Sequence, residues 1–194
     1  YPNIDVDQML KKPSKLQTTI DFEKNGKQTG YIRLPHSVHR SAYGWLPIPI
    51  ACIKNGSGVT TLLISGTHGD EYEGQVALSK LINQLNPEEI QGRVIILPMA
   101  NFPAAKAGLR TSPIDEQNLN RIYPGDPDGS PSLMIAHYIE SQLLSIADYG
   151  LDLHSGGSSL HYVPSAVSAV GENKERMKKM KELMKAFAAP YSFF

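Results

Sequence analysis

Cysteine is almost missing from this chain: Cys52 is the single one in 194 residues. It can form no internal disulfide, and inside an apolar strand-like segment it reads as a small buried hydrophobe. Usage this sparse suits a reducing compartment, so a cytoplasmic location is expected. Long hydrophobic runs are also lacking, and none approaches the roughly 18 apolar residues of a membrane span. The N-terminal Y-P-N-I-D-V-D has no basic n-region followed by an apolar h-region, so no signal peptide is expected. Neither sign of charge is in excess, with 19 Lys plus Arg against 19 Asp plus Glu. Nothing there favours nucleic acid or an anionic membrane as a partner. No internal repeat or low-complexity segment occurs.

What is present describes an ordinary globular α/β chain, 41% hydrophobic and 20% charged. A start at Tyr1 and an apolar Y-S-F-F ending suggest a piece of a longer protein. Residues 1–28 are polar, with Pro2, Pro13 and scattered lysines. They are expected to form an N-terminal arm with a short strand near Thr18 to Phe22, ahead of one main domain over 29–194. Strands are expected at Tyr31 to Pro35 and Leu46 to Ile53, the second at a sheet edge because of Pro47 and Pro49. The continuous apolar runs Thr60 to Ser65 and Gly92 to Pro98 predict buried strands, and the apolar run Tyr149 to Leu153 predicts a further strand. Helical periods follow over Glu71 to Leu85, from Ser130 or Ser132 to Leu144, and over Asn173 to Ala188. The last is basic, with methionines expected to pack inward. This alternation predicts an α/β fold: a mixed, mostly parallel sheet with helices on both faces.

The stretch Gly66 to Gly74, G-T-H-G-D-E-Y-E-G, follows the first buried run and sets His68 and Glu71 three residues apart at its exit. The run from Tyr149 ends on His154. Two histidines and one carboxylate make a three-ligand set that leaves one position of a tetrahedral zinc for water, the arrangement of a catalytic zinc site. H-x-x-E alone is also explained by a loop histidine and a first-turn carboxylate. The flanking Gly66 and Gly69, which let backbone come close to a ligand, and a second strand ending D-L-H-S-G-G tip the balance to a metal. Glu73, two residues beyond Glu71, is a rival ligand. Asp152 lies two residues before His154 and so on the same side of a strand, where it can hydrogen-bond a ligand histidine. His36, His39, His137 and His161 show no ligand spacing.

Asn101 to Pro131 reads as a long loop without structure of its own, a feature that is usually functional. It carries Arg110, Asn118, Asn120 and Arg121. One guanidinium can grip a substrate carboxylate through two hydrogen bonds, and another can stabilise an oxyanion. Asn120 can offer its amide to the same carboxylate.

These motifs in this order, G-T-H-G-D-E-Y-E-G, N-F-P-A, G-L-R, N-L-N-R-I-Y-P-G and L-D-L-H-S-G-G, resemble the succinylglutamate desuccinylase/aspartoacylase family, which is related to the zinc carboxypeptidases. The resemblance covers roughly residues 45–165. H-G-D-E-Y-E-G, R-T-S-P-I-D, A-H-Y and H-S-G-G-S-S look most like the branch that deacetylates N-acetyl-diaminobutyrate. It implies a zinc carboxypeptidase-like fold and one Zn2+ per chain held by His68, Glu71 and His154. It also implies that Arg110 polarises the scissile carbonyl while Asn120 and Arg121 hold the carboxylate of a small acylated amino acid. The family's general-base glutamate lies on a later strand, and neither that residue nor the family's smaller C-terminal β-rich region has a counterpart here. The activity of this stretch alone is therefore in question, and an uncovered edge would favour a homo-oligomer. A metallocarboxypeptidase acting on peptides and a non-catalytic zinc- or ligand-binding domain are the rival readings.

Overall fold

The computed structural model describes residues 5–194. The start of the expected arm, with Pro2, lies outside the described residues. The chain forms two compact units, one running to Ser158 and one from Ser159 to Phe194.

The first unit opens with helix α1 (Val6–Lys11), capped by Asp5, whose carboxylate accepts the Gln8 N–H at 3.1 Å. Strand β1 (Gln17–Thr18) pairs with the long β2 (Gly26–Pro35), and Leu16 and Ile20 beside it are buried. Strand β3 (Trp45–Asn55) runs back along β2. A tight turn leads to β4 (Thr60–Ser65), followed by helix α2 (Tyr72–Gln84) and β5 (Gly92–Leu97). Helix α3 (Phe102–Ala107) comes next, then a 3-10 turn at Leu119–Arg121 and helix α4 (Pro131–Tyr138). Helix α4 widens into a π turn over Ile139–Leu143 before β6 (Tyr149–Leu153).

The six strands lie in the order β1-β2-β3-β5-β4-β6. The pairs β1–β2, β2–β3 and β3–β5 are antiparallel, and only β5–β4 and β4–β6 are parallel. The expectation of a mostly parallel sheet is therefore corrected. Parallel neighbours need a crossover, which α2 and α4 provide, whereas β1 to β4 follow one another through loops and turns without a helix. The edge placement of Leu46 to Ile53 is corrected as well. β3 lies between β2 and β5, but β5 pairs only with Ala51 to Asn55. Pro47 and Pro49 stand in the half that β5 leaves open, where a missing N–H forfeits no ladder bond.

Helices cover both faces of the sheet. On one, Ile50, Cys52, Leu62, Ile95 and Leu97 pack with Ile135, Ile139 and Leu143 of the α4 segment. On the other, Ala51, Ile53 and Ile96 pack with Leu78 of α2. Alternate residues of β3 thus serve opposite cores, which is why its central stretch reads as continuously apolar. Each fully buried Leu or Ile contributes about 1.5–3 kcal/mol. Cys52 is fully buried, and burial, opposed by the charges of Arg93 and Lys54, pushes its thiol up to about 11. His137 is buried too, and its Nε2 donates to the Met9 carbonyl at 3.0 Å, tying α4 to α1.

In the second unit, β7 (Ser165–Val167) and β8 (Tyr191–Phe193) pair in parallel, joined by helix α5 (Lys174–Phe187). Met177, Met180 and Met184 fall on one face of α5 and its lysines remain exposed. Strands of three residues are too short for a period of two to show, so the sequence marks only the helix. Among the described residues no helix is long and apolar enough to cross a membrane.

Candidate metal centre

The centre is built at the carboxyl ends of β4 and β6, which lie side by side in parallel register. Ligands in open α/β sheets gather outside such strand ends. β4 stops at Ser65, and Gly66 turns the chain with a φ of +67°, a conformation open to glycine at little cost. Gly69 then passes against α3. A Cβ there would stand 2.0 Å from the Ala104 carbonyl carbon, so only glycine fits. The Gln75 side chain braces this loop from α2, donating to the carbonyls of Gly69 at 3.0 Å and Glu71 at 3.1 Å.

This path brings His68, Glu71 and His154 together, with one donor atom of each within 4.8 Å of the others. The imidazole centroids are 5.1 Å apart. Glu71 lies between them. Its Oε1 is 2.7 Å from His68 Nδ1 and its Oε2 is 2.8 Å from His154 Nδ1. His68 and Glu71 are almost wholly buried, whereas the His154 side chain is 31% exposed, which leaves the cluster open on one side. The Ser155 backbone N–H donates to Glu71 Oε2 at 3.0 Å. The Ser155 hydroxyl donates to Glu73 at 2.5 Å, so the rival carboxylate is held outside the cluster.

Both rings turn their other nitrogen to an oxygen. His154 Nε2 donates to Asp152 Oδ2 at 2.9 Å, and the Thr67 hydroxyl donates to the same oxygen at 2.9 Å. Asp152 thus lies on the same side of the strand as His154 and is hydrogen-bonded to it. The hydrogen bond to Asp152 raises the His154 pKa above its usual value; burial opposes this, and the charges of Asp152 and Glu71 support it. His68 Nε2 lies 3.1 Å from Asn118 Oδ1. Spacing singles out neither Asn118 nor Thr67 for these roles, because both depend on how distant loops come together.

The donor set fits a divalent cation. Each ring brings Nδ1 within 2.8 Å of a Glu71 carboxylate oxygen, so each close approach needs a shared proton or a cation between the two atoms. Arg110 approaches from the loop after α3. Its Nη1 is 3.4 Å from both Glu71 Oε1 and His68 Nδ1, and its side chain is half exposed. Asn120 and Arg121 sit exposed on the 3-10 turn that Asn118 caps, with Leu119 fully buried beneath them. Among the described residues, neither side chain is hydrogen-bonded to the cluster, and the Arg121 guanidinium donates to the Asn120 carbonyl at 3.0 Å. The loop expected to be structureless contains α3, which Asn101 caps, with Pro103 in its first turn.

The mixed α/β sheet sets two histidines and a glutamate near adjacent strand ends, a donor set able to hold a divalent cation. The chain belongs to the succinylglutamate desuccinylase/aspartoacylase family, whose catalytic-domain signature matches residues 57–194. It is 50% identical over 181 residues to the N-alpha-acetyl-L-2,4-diaminobutyric acid deacetylase of Halomonas elongata, covering 93% of this chain and 53% of that protein. The product-bound structure of the ectoine utilization protein EutE (DoeB) from Ruegeria pomeroyi superposes with a TM-score of 0.90 at 46% identity, over 93% of this chain and 55% of that one. A candidate carboxypeptidase from Burkholderia mallei shares the fold, with a TM-score of 0.58 at 18% identity over 74% of this chain and 40% of that one. The chain spans about half the length of the first two relatives.

Proposed function

We propose that this chain supplies the metal-binding part of a zinc-dependent deacylase. The substrate is an N-acylated amino acid, with N-alpha-acetyl-2,4-diaminobutyrate as the favoured example. The observation that carries the reading is the inward pair of Nδ1 atoms around Glu71, each ring anchored at Nε2 by an outer oxygen. Two imidazoles and one carboxylate suit zinc and leave a coordination position open. Zinc held there supplies Lewis acidity and lowers the pKa of a bound water towards neutrality.

The remaining work falls to the chain's own groups. Arg110 is placed to donate to the amide oxygen as negative charge grows on it. Asn120 and Arg121 are exposed on their turn and can take the amino-acid carboxylate, Arg121 through two parallel N–H groups. Holding the carboxylate fixes the acyl group relative to the cluster, and so orientation is gained at binding. Proton transfer to the leaving amine needs a further acid–base group, for which the family resemblance calls on a glutamate.

The test is a panel of N-acetylated amino acids and short peptides given to the whole protein before and after metal stripping. Turnover of acetylated amino acids that disappears on stripping and returns with zinc is expected. Cleavage of peptides alone would replace this reading with a carboxypeptidase. Metal binding without turnover of either class would leave a non-catalytic binding domain.

A further inference from the structure

Asn118 makes two contacts through one atom. Its Oδ1 accepts the backbone N–H of Asn120 at 3.1 Å and lies 3.1 Å from His68 Nε2. The first contact settles the second. A backbone N–H can only donate, so the amide atom facing it is the oxygen, and His68 Nε2 must then carry the proton. At the opposite end of the ring, Nδ1 faces Glu71 Oε1 at 2.7 Å, on the side of the cluster. With Nε2 engaged by Asn118, Nδ1 is the nitrogen offered to a cation. Asp152 does for His154 what Asn118 does for His68, but with a carboxylate in place of a neutral amide.

We infer that Asn118 is a positioning residue for His68: its amide oxygen holds the ring with Nε2 protonated and Nδ1 turned to the metal, and ties it to the turn that carries Asn120 and Arg121. The inference rests on the metal reading of His68, Glu71 and His154. An oxygen that accepts both hydrogen bonds is what the site requires, so a carboxylate can replace the amide and a methyl group cannot. The long loop thereby reaches the metal as well as the substrate. The Asn120 N–H and the His68 ring share one acceptor, and displacing the turn withdraws support from the ligand.

Zinc affinity of the metal-stripped protein, measured by competition with a chromophoric chelator, tests this in Asn118→Ala, Asn118→Asp and His68→Ala. Asn118→Ala is expected to weaken zinc binding about 10- to 100-fold. Asn118→Asp is expected to stay close to the parent, and His68→Ala to lose tight binding. In the zinc-loaded parent and Asn118→Asp proteins, the His68 Nε2–H proton should exchange slowly in NMR spectra, and in Asn118→Ala it should exchange freely. Parent-like affinity in Asn118→Ala, with loss in His68→Ala, would overturn this inference alone. Equal loss in the Ala and Asp variants would overturn it too, since accepting hydrogen bonds would then not be the role. Undiminished zinc binding by His68→Ala would overturn the metal reading, and this inference with it.

Discussion

Gly69 donates its backbone N–H to the Leu109 carbonyl at 2.9 Å, fastening the loop that carries His68 and Glu71 to the residue before Arg110. The bond forms only because the chain at position 69 lies flat against α3. Gly69→Ala would force a Cβ to within 2.0 Å of the Ala104 backbone, which cannot give way as a flexible side chain would. Destabilisation of about 3 kcal/mol or more is expected, read as a lowered denaturation midpoint. Metal affinity should fall with it, since the loop must shift to admit the methyl group. An Ala variant with parental stability would show that the close approach is not maintained in solution.

Arg110 stands 3.4 Å from Glu71 Oε1 with half its side chain exposed, and the proposed function has it act on the substrate instead of holding the cluster together. Arg110→Ala should reduce kcat on an acetylated amino acid about 100-fold. Zinc affinity should be unchanged or slightly higher, because a cation beside the site has been removed. Arg110→Lys should not restore the rate, as an ammonium lacks the planar fork. Steady-state kinetics alongside zinc titration separates the two effects. A parallel loss of metal would make Arg110 a structural partner of Glu71 instead.

Asp115 ties the long loop to the start of α4. Its carboxylate accepts the Ser132 backbone N–H and hydroxyl, each at 2.8 Å. Burial alone would raise its pKa, but hydrogen bonding, led by the Ser132 backbone N–H, outweighs this and holds it below the usual carboxylate value. A depressed folded-state pKa contributes stability that is present above the unfolded value and is lost as pH falls through the folded one. Asp115→Asn should therefore cost about 1–2 kcal/mol at neutral pH. The difference from the parent should shrink in acid, below the ordinary aspartate range. Denaturant unfolding across that range measures it, and a difference independent of pH would contradict the assignment.

How far the sequence reveals this molecule depends on the range of the interaction. The Thr60 to Ser65 and Tyr149 to Leu153 runs coincide with β4 and β6; in the interior β4, burial on both faces writes itself into consecutive residues, whereas β6 is a half-exposed edge strand marked only by its short apolar run. Asp152 beside His154 is legible through the two-residue period of a strand. Strand direction is not legible in this way. It depends on the connections, and β2, β3 and β4 follow one another without the helices that would make them parallel. Asn118 sits among other polar loop residues with no periodicity to mark it. Its oxygen lies fifty positions along the chain from His68 and meets it only once the segment between them has taken its path. The helix α3 was concealed by Pro103, which suggests a break but here occupies a first turn where its absent N–H is not missed.

The most direct measurement is anomalous scattering at the zinc absorption edge from crystals of the zinc-loaded protein. The account requires one peak per chain, bounded by the Nδ1 atoms of His68 and His154 and a carboxylate oxygen of Glu71, with zinc–nitrogen distances of about 2.0–2.1 Å. A peak elsewhere, or those three side chains turned apart with no metal among them, would contradict it.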